Sequence, residues 1–95
     1  MSAYLIVDIT VHDQDRYLEY VKLVPQLIEK HGGDYLIRGG NATALEGGWQ
    51  PERLVLVRFP DAQSARAFVA DPDYAPVKAI RHQAADTNLL LVEGV

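Results

Sequence analysis

Four stretches of the chain have the apolar pattern of β-strands. In residues 3–11, Leu5 and Val7 alternate with Tyr4 and Ile6, so both sides of this strand are apolar in its first half. The other stretches with a strand pattern are residues 35–38, 53–59 and 88–93. The pattern therefore predicts four strands, three of which are apolar on both sides.

The second predicted strand is interrupted by the pair Gly39-Gly40. A glycine pair within a strand indicates a bulge or a bend, because glycine tolerates backbone angles that other residues avoid. Residues 41–46 are a candidate continuation of the strand, and residues 47–51 are predicted to form a loop.

A helix is predicted between the first two strands, because apolar residues recur there at three- and four-residue steps over positions 17–28. Asp13 is expected to cap this helix, since a short carboxylate satisfies the free N–H groups of a first turn. Pro25 lies inside the pattern and is expected to kink the helix or to mark a local break. Gly32-Gly33 is expected to end it.

Two further helices are predicted between the third and fourth strands. The first follows Asp61, a second capping residue, and ends at Asp71-Pro72, whereas residues 74–84 form the other. The resulting order is that of the ferredoxin-like βαββαβ arrangement. We therefore predict a single α+β domain over residues 1–95, with a four-stranded antiparallel sheet.

The two-sided apolar pattern of the sheet predicts a homodimer. Two main helices can cover only one face of a four-stranded sheet, and the other face would be polar if it met water. Leaving several Leu, Val and Ile side chains in water would forfeit about 1.5–3 kcal/mol each. A second copy packed face to face is the simplest cover, which would form a dimeric α/β barrel. The alternative is that edge irregularities and the C-terminal residues cover this face.

Composition and charge narrow the class of protein further. The formal net charge is −4, and the basic residues are scattered singly, which argues against nucleic acid and against an anionic membrane surface as partners. The absence of cysteine excludes disulfides and thiolate chemistry. No apolar run approaches the roughly 20 residues that span a bilayer. No secretory signal pattern opens the sequence, so we expect a cytoplasmic protein.

No pattern for a metal or a cofactor is present, and none is predicted. His12, His31 and His82 lack the paired spacing of a zinc site, and solvated or capping roles are expected for them. The three glycine pairs of the chain fit neither a phosphate loop nor a dinucleotide fingerprint.

Arg38, Glu46 and Arg53 are the first candidates for a binding site. They flank the second and third strands, which are expected to be hairpin neighbours. Guanidinium and carboxylate groups brought together there would hold an anionic or carbonyl-bearing ligand. The alternative is an ion pair that only sets the strand register.

Trp49, Tyr74 and Arg81 complete the candidate set. Tyr74 and Arg81 lie on the last predicted helix, and Tyr74 with Trp49 would form the wall of an apolar pocket. The alternative for these aromatic residues is ordinary core packing.

The order of several motifs resembles the domain-of-unknown-function family 1330. The motifs span nearly the whole chain and are Tyr35-Leu36-Ile37-Arg38-Gly39-Gly40, Leu45-Glu46-Gly47-Gly48-Trp49, Pro51-Glu52-Arg53-Leu54-Val55, Phe59-Pro60, Ala65-Arg66-Ala67, Asp71-Pro72-Asp73-Tyr74, Arg81 and Val92-Glu93-Gly94. The family usually has a small residue, often serine, at the position of Asp71.

This resemblance implies the dimeric α/β-barrel superfamily, whose members include cofactor-free oxygenases, isomerases, dehydratases and heme-binding proteins. The family's characteristic polar positions correspond to Arg38, Glu46, Arg53, Tyr74 and Arg81. Because a fold does not determine a function, no activity is carried over.

We therefore predict a homodimer that binds, or also transforms, a small organic molecule in a pocket of each protomer. If it is an enzyme, arginine would stabilise an enolate or a carboxylate, and Glu46 or a histidine would be the acid–base group. The alternative is a non-catalytic interaction or regulatory dimer.

Overall fold

The computed structural model describes residues 1–95 and has the predicted order of elements. These are β1 (Ala3–Val11), α1 (Gln14–Lys30), β2 (Asp34–Gly40), β3 (Arg53–Phe59), α2 (Ala62–Ala70), α3 (Ala75–Ala84) and β4 (Ala85–Glu93). The strands form one four-stranded antiparallel sheet in the order β2-β3-β1-β4. The fold is the predicted ferredoxin-like α+β arrangement.

The helix ends follow the predicted capping chemistry. The Asp13 carboxylate accepts a hydrogen bond from the backbone N–H of Arg16 at 3.1 Å, and the Asp61 carboxylate accepts one from Ser64 at 2.7 Å. α1 continues without interruption through Pro25, so the local break does not occur. Packing of the flanking Val24 into the core compensates for the backbone hydrogen bond that Pro25 cannot make.

The second strand ends earlier than its candidate continuation. β2 stops at Gly40, whose partner is Leu54, and residues 41–52 form neither strand nor helix. Two register shifts interrupt the pairing of β2 with β3, the second of them between Arg38 and Gly40. Gly39 has a φ of +77° there, so the glycine pair does form the predicted bulge. β3 begins at Arg53, one residue before Leu54, so residues 41–46 have almost no strand to pair with and do not extend the sheet.

The core lies between the helices and one face of the sheet. Alternate residues of the central strands, such as Leu5, Ile9, Val57 and Phe59, are buried on this face. They pack against side chains of all three helices, namely Tyr17, Val24, Ile28, Ala65, Phe68, Val77 and Ala84.

The other face, which we call the open face, carries the intervening residues. Leu90 is 59 % exposed and Val92 is 42 % exposed, and Ile6, Leu54 and Leu56 share this face. Neither the edge irregularities nor the C-terminal residues cover Leu90 and Val92 within one protomer.

The buried Asp71 carboxylate links the end of α1 to the turn before α3. Its Oδ2 accepts a hydrogen bond from Lys30 Nζ at 2.8 Å and lies 2.7 Å from His31 Nε2, while its Oδ1 accepts one from the backbone N–H of Asp73 at 2.8 Å. These partners, with Lys30 contributing most, hold the pKa of Asp71 well below its usual value.

None of the three helices is long and apolar enough to cross a membrane.

Candidate functional site

A cavity of about 50 Å³, which we call the α1 cavity, lies between α1 and the covered face of the sheet. At about 10–15 Å³ for each water, this volume has room for about four water molecules. Most of its walls are aliphatic or aromatic, and Arg38, Arg53 and Arg81 are its only charged side chains. No aspartate, glutamate or histidine lines it.

The register of the sheet places two of these arginines at one end of the cavity. Arg53 on β3 and Thr87 on β4 both face Ile9 of β1, so the three residues form one row across the sheet. The Arg81 guanidinium donates a hydrogen bond to the Thr87 hydroxyl. Arg53 and Arg81 therefore belong to the same end of the cavity, on either side of Ile9.

The third arginine belongs to the adjacent row. Arg38 pairs with Val55, which faces Val7, and the Val7 row lies two residues along the strands from the Ile9 row. Arg38 is exposed, and its guanidinium lies over the Tyr35 ring at 4.6 Å from the ring centre. The positive charge of the cavity is thus confined to two neighbouring rows.

Arg81 is the most deeply placed of the three. The residue is only 3 % exposed, and its Cζ lies 6.0 Å from the centre of the Tyr20 ring. Its Nε is buried without a hydrogen-bond partner, and no carboxylate lies within the 4.0 Å of an ion pair. A buried cation normally has a paired anion, because burial removes its hydration. Arg81 therefore lacks its counter-charge in the isolated protomer.

Arg53 has a similar environment. Its Cζ lies 5.4 Å from the centre of the Tyr17 ring, and its Nε is also buried without a partner. Stacking over an aromatic face suits a guanidinium but leaves its N–H groups free to bind an anion.

Tyrosine hydroxyls supply further hydrogen-bonding groups in the cavity. The Tyr20 and Tyr74 hydroxyl oxygens are 3.0 Å apart. Burial, followed by the adjacent Tyr74 and the hydrogen bond to it, raises the pKa of Tyr20 far above its ordinary value. Burial also raises the pKa of Tyr35. These phenols are therefore protonated at neutral pH.

The structure brings together four of the six predicted site residues. Arg38, Arg53, Tyr74 and Arg81 line the α1 cavity. Tyr74 is also part of the core, where its ring centre lies 4.4 Å from that of Phe68.

Glu46 and Trp49 lie elsewhere. Glu46 is exposed within residues 41–52, and it forms no ion pair with Arg38 or Arg53. Trp49 is 61 % exposed, and its Nε1 donates a hydrogen bond to the Asp8 carboxylate at 2.8 Å. Because the chain leaves the sheet after Gly40, this segment does not bring Glu46 to the arginines.

The three histidines also lie outside the cavity lining. His12 and His82 are exposed, and His31 is the C-cap residue of α1 beside Asp71. Sequence reasoning did not assign Tyr17, Tyr20 and Tyr35 to the site. The only available signal was that Tyr17 and Tyr20 share the apolar stripe of α1, which equally fits core packing.

A second, more open hollow of about 320 Å³ lies between α2 and the sheet. It is lined by apolar side chains and by Arg66, which is exposed. A ligand site combines an apolar enclosure with a few convergent polar groups, and the α1 cavity alone has both.

The fold and the cavity together define a ferredoxin-like α+β protein with an internal, arginine-lined pocket. Residues 2–95 match the family model described as a domain of unknown function, DUF1330, and the chain belongs to that family. No curated protein matches the chain.

Solved structures of other proteins share the fold. The RPA0582 protein of unknown function from Rhodopseudomonas palustris superposes with a TM-score of 0.80 at 17% identity, over 99% of this chain and 82% of that one. A dimeric ferredoxin-like protein of unknown function from a Jannaschia species superposes with a TM-score of 0.72 at 12% identity, over 99% of this chain and 100% of that one. SnoaB, a cofactor-independent oxygenase from Streptomyces nogalater, superposes with a TM-score of 0.68 at 11% identity, over 99% of this chain and 93% of that one. At these identities the likeness defines the fold alone.

Proposed function

We propose that this protein binds, or also transforms, a small organic molecule in the α1 cavity of each protomer of a homodimer. The observation that carries the proposal is Arg81, a nearly fully buried cation with an unpartnered Nε beside a cavity. Leaving such a group unpaired costs stability, so its presence indicates that a bound molecule supplies the missing partner.

The open face supports the homodimer. Leu90 and Val92 are exposed there on the edge strand β4, where Leu90 lies beside Ile6 of β1. A second copy presents the same apolar surface, and the fold is shared with the Jannaschia protein described as dimeric. Packing the two open faces together leaves the helices and the α1 cavities on the outside.

The cavity lining limits the chemistry that the protomer alone can perform. No carboxylate or imidazole lines the cavity, and burial raises the pKa of Tyr20, which keeps this phenol protonated and unavailable as a base at neutral pH. If the bound molecule is transformed, the contribution of the protein is therefore stabilisation of negative charge on an enolate or a carboxylate by arginine.

A ligand screen with a matched pair of variants tests the proposal. Binding of a library of small carboxylic acids, phenols and neutral analogues would be followed by NMR. Val21 lines the cavity, and Val21→Phe is expected to fill it and to abolish binding. Leu18→Phe changes a half-exposed residue of the same helix and is expected to keep binding unchanged.

If no compound binds and Arg81→Met raises the thermal stability, the buried arginine serves no ligand and the proposal fails. The protein would then be a non-catalytic interaction or regulatory dimer.

A further inference from the structure

The two arginines whose Nε atoms lack partners lie at one end of the α1 cavity, which we call its polar end, whereas the other end combines apolar side chains with the Tyr35 phenol. The Ile9 row places Arg53 and Arg81 at the polar end, while Leu5 and Val57 lie two rows away. Successive rows on one face are separated by about 6.6 Å, so the two ends are about 13 Å apart. We infer that the natural ligand is a short-chain carboxylate, bound with its acid group at Arg81 and Arg53 and its apolar chain toward Leu5. This inference rests on the proposed function and names its ligand class.

The polar end has more hydrogen-bond donors than acceptors. An arginine side chain has N–H donors and no acceptor, and no acidic group lines the cavity. Within the Tyr20–Tyr74 pair one hydroxyl donates to the other, which leaves one phenol O–H of the pair for a further acceptor. A bound molecule must therefore supply the acceptors. A carboxylate has two oxygens that accept several hydrogen bonds, and it is the planar partner that a guanidinium fits best.

The charge of the polar end also favours an anion. Arg53 and Arg81 flank Ile9 without an ion pair, so the polar end carries uncompensated positive charge in the empty protomer. A neutral alcohol or amide of the same shape would accept hydrogen bonds but would leave both guanidinium charges without a counter-charge. Anionic ligands are therefore favoured over their neutral isosteres.

The volume of the cavity limits the length of the ligand. Four waters occupy roughly 120 Å³ in the liquid, at about 30 Å³ each, so a cavity with room for about four waters accommodates a small acid of about six non-hydrogen atoms. Butanoate has this size, whereas a longer acid would have to displace α1 from the sheet.

Calorimetric titration of the protein with sodium butanoate and with butanamide, its neutral isostere, tests the inference. Butanoate is expected to bind at least about ten-fold more tightly, since charge-assisted hydrogen bonds are the stronger ones. Arg81→Met is expected to weaken butanoate binding by about ten-fold or more, whereas Arg66→Met, which removes the same charge from an exposed site on α2, leaves it within about two-fold.

A wild-type measurement covers the case in which Arg81→Met does not fold. The ¹⁵N signal of Arg81 Nε is expected to shift on addition of butanoate, and that of Arg66 is not. Equal affinity for butanoate and butanamide, or an unmoved Arg81 signal at saturation, overturns the carboxylate inference while the proposed function stands. If neither compound binds, the carboxylate inference is overturned; if the broader library also fails and Arg81→Met raises the thermal stability, the proposed function falls with it.

Discussion

The guanidinium of Arg53 occupies the space beside Gly39 that a side chain would otherwise fill. A Cβ placed on Gly39 would lie 2.6 Å from Arg53 Cζ and 2.7 Å from Nη1. The bulge at Gly39 and the position of Arg53 in the cavity therefore depend on each other. One glycine provides both the positive φ of the bulge and the room for the cation.

Gly39→Ala is expected to destabilise the protein by about 1–2 kcal/mol, because an L-residue is strained at this φ. It is also expected to displace Arg53 and to weaken binding of butanoate. Gly40→Ala is the matched control, since Gly40 has no atom within 4 Å of an added Cβ and no positive φ. Urea unfolding and calorimetric titration of both variants check the prediction. Equal effects of the two substitutions would contradict it.

The proposed dimer predicts that a charge on the open face yields a folded monomer. Leu90 is 59 % exposed in the protomer, so Leu90→Asp is expected to disturb the protomer core little but to leave a carboxylate unsolvated in a face-to-face dimer. Sedimentation velocity at micromolar concentration measures the change. Leu18→Asp, at a half-exposed position of α1, is expected to remain dimeric. A wild-type protein that sediments as a monomer would exclude the dimer.

The Asp71 cluster predicts a loss of stability in acid. Because the pKa of Asp71 is lower in the folded chain than its ordinary 3.8, its contribution to stability is fully present above about pH 4–5. That contribution is lost as the pH falls through the folded value. Urea midpoints measured from pH 6 to pH 2 are expected to fall less steeply in Asp71→Asn than in the wild type, with the difference appearing below about pH 4. An identical slope in both proteins would show that Asp71 does not contribute.

The cap of α1 predicts a loss of stability that does not depend on pH near neutrality. Asp13→Ala removes the acceptor for the Arg16 N–H and is expected to lower the free energy of unfolding by about 1 kcal/mol. Asp15→Ala, in the same first turn but without the capping bond, is expected to cost less. Thermal unfolding at pH 7 distinguishes the two variants.

Much of the fold is encoded in short-range pattern and is therefore predictable. The helical stripe of α1, the caps at Asp13 and Asp61, and the bulge at Gly39-Gly40 each depend on neighbouring residues, and the structure confirms them. A local pattern predicts less well where tertiary packing opposes it. α1 continues through Pro25 because the core contacts of residues on both sides of this proline outweigh one missing backbone hydrogen bond.

The sequence by itself determined the order of the elements, the two-sided apolar sheet and a set of candidate arginines. A cytoplasmic location and the absence of nucleic-acid or membrane partners stay predictions from composition. Only the tertiary structure decided which candidates meet. The strand register places Arg53 opposite Ile9 and brings Arg81 to Thr87, whereas the turn after Gly40 carries Glu46 and Trp49 away. The burial of Arg81 without a counter-charge depends on α3, β4 and α1 packing together, and no local pattern encodes contacts between such distant segments.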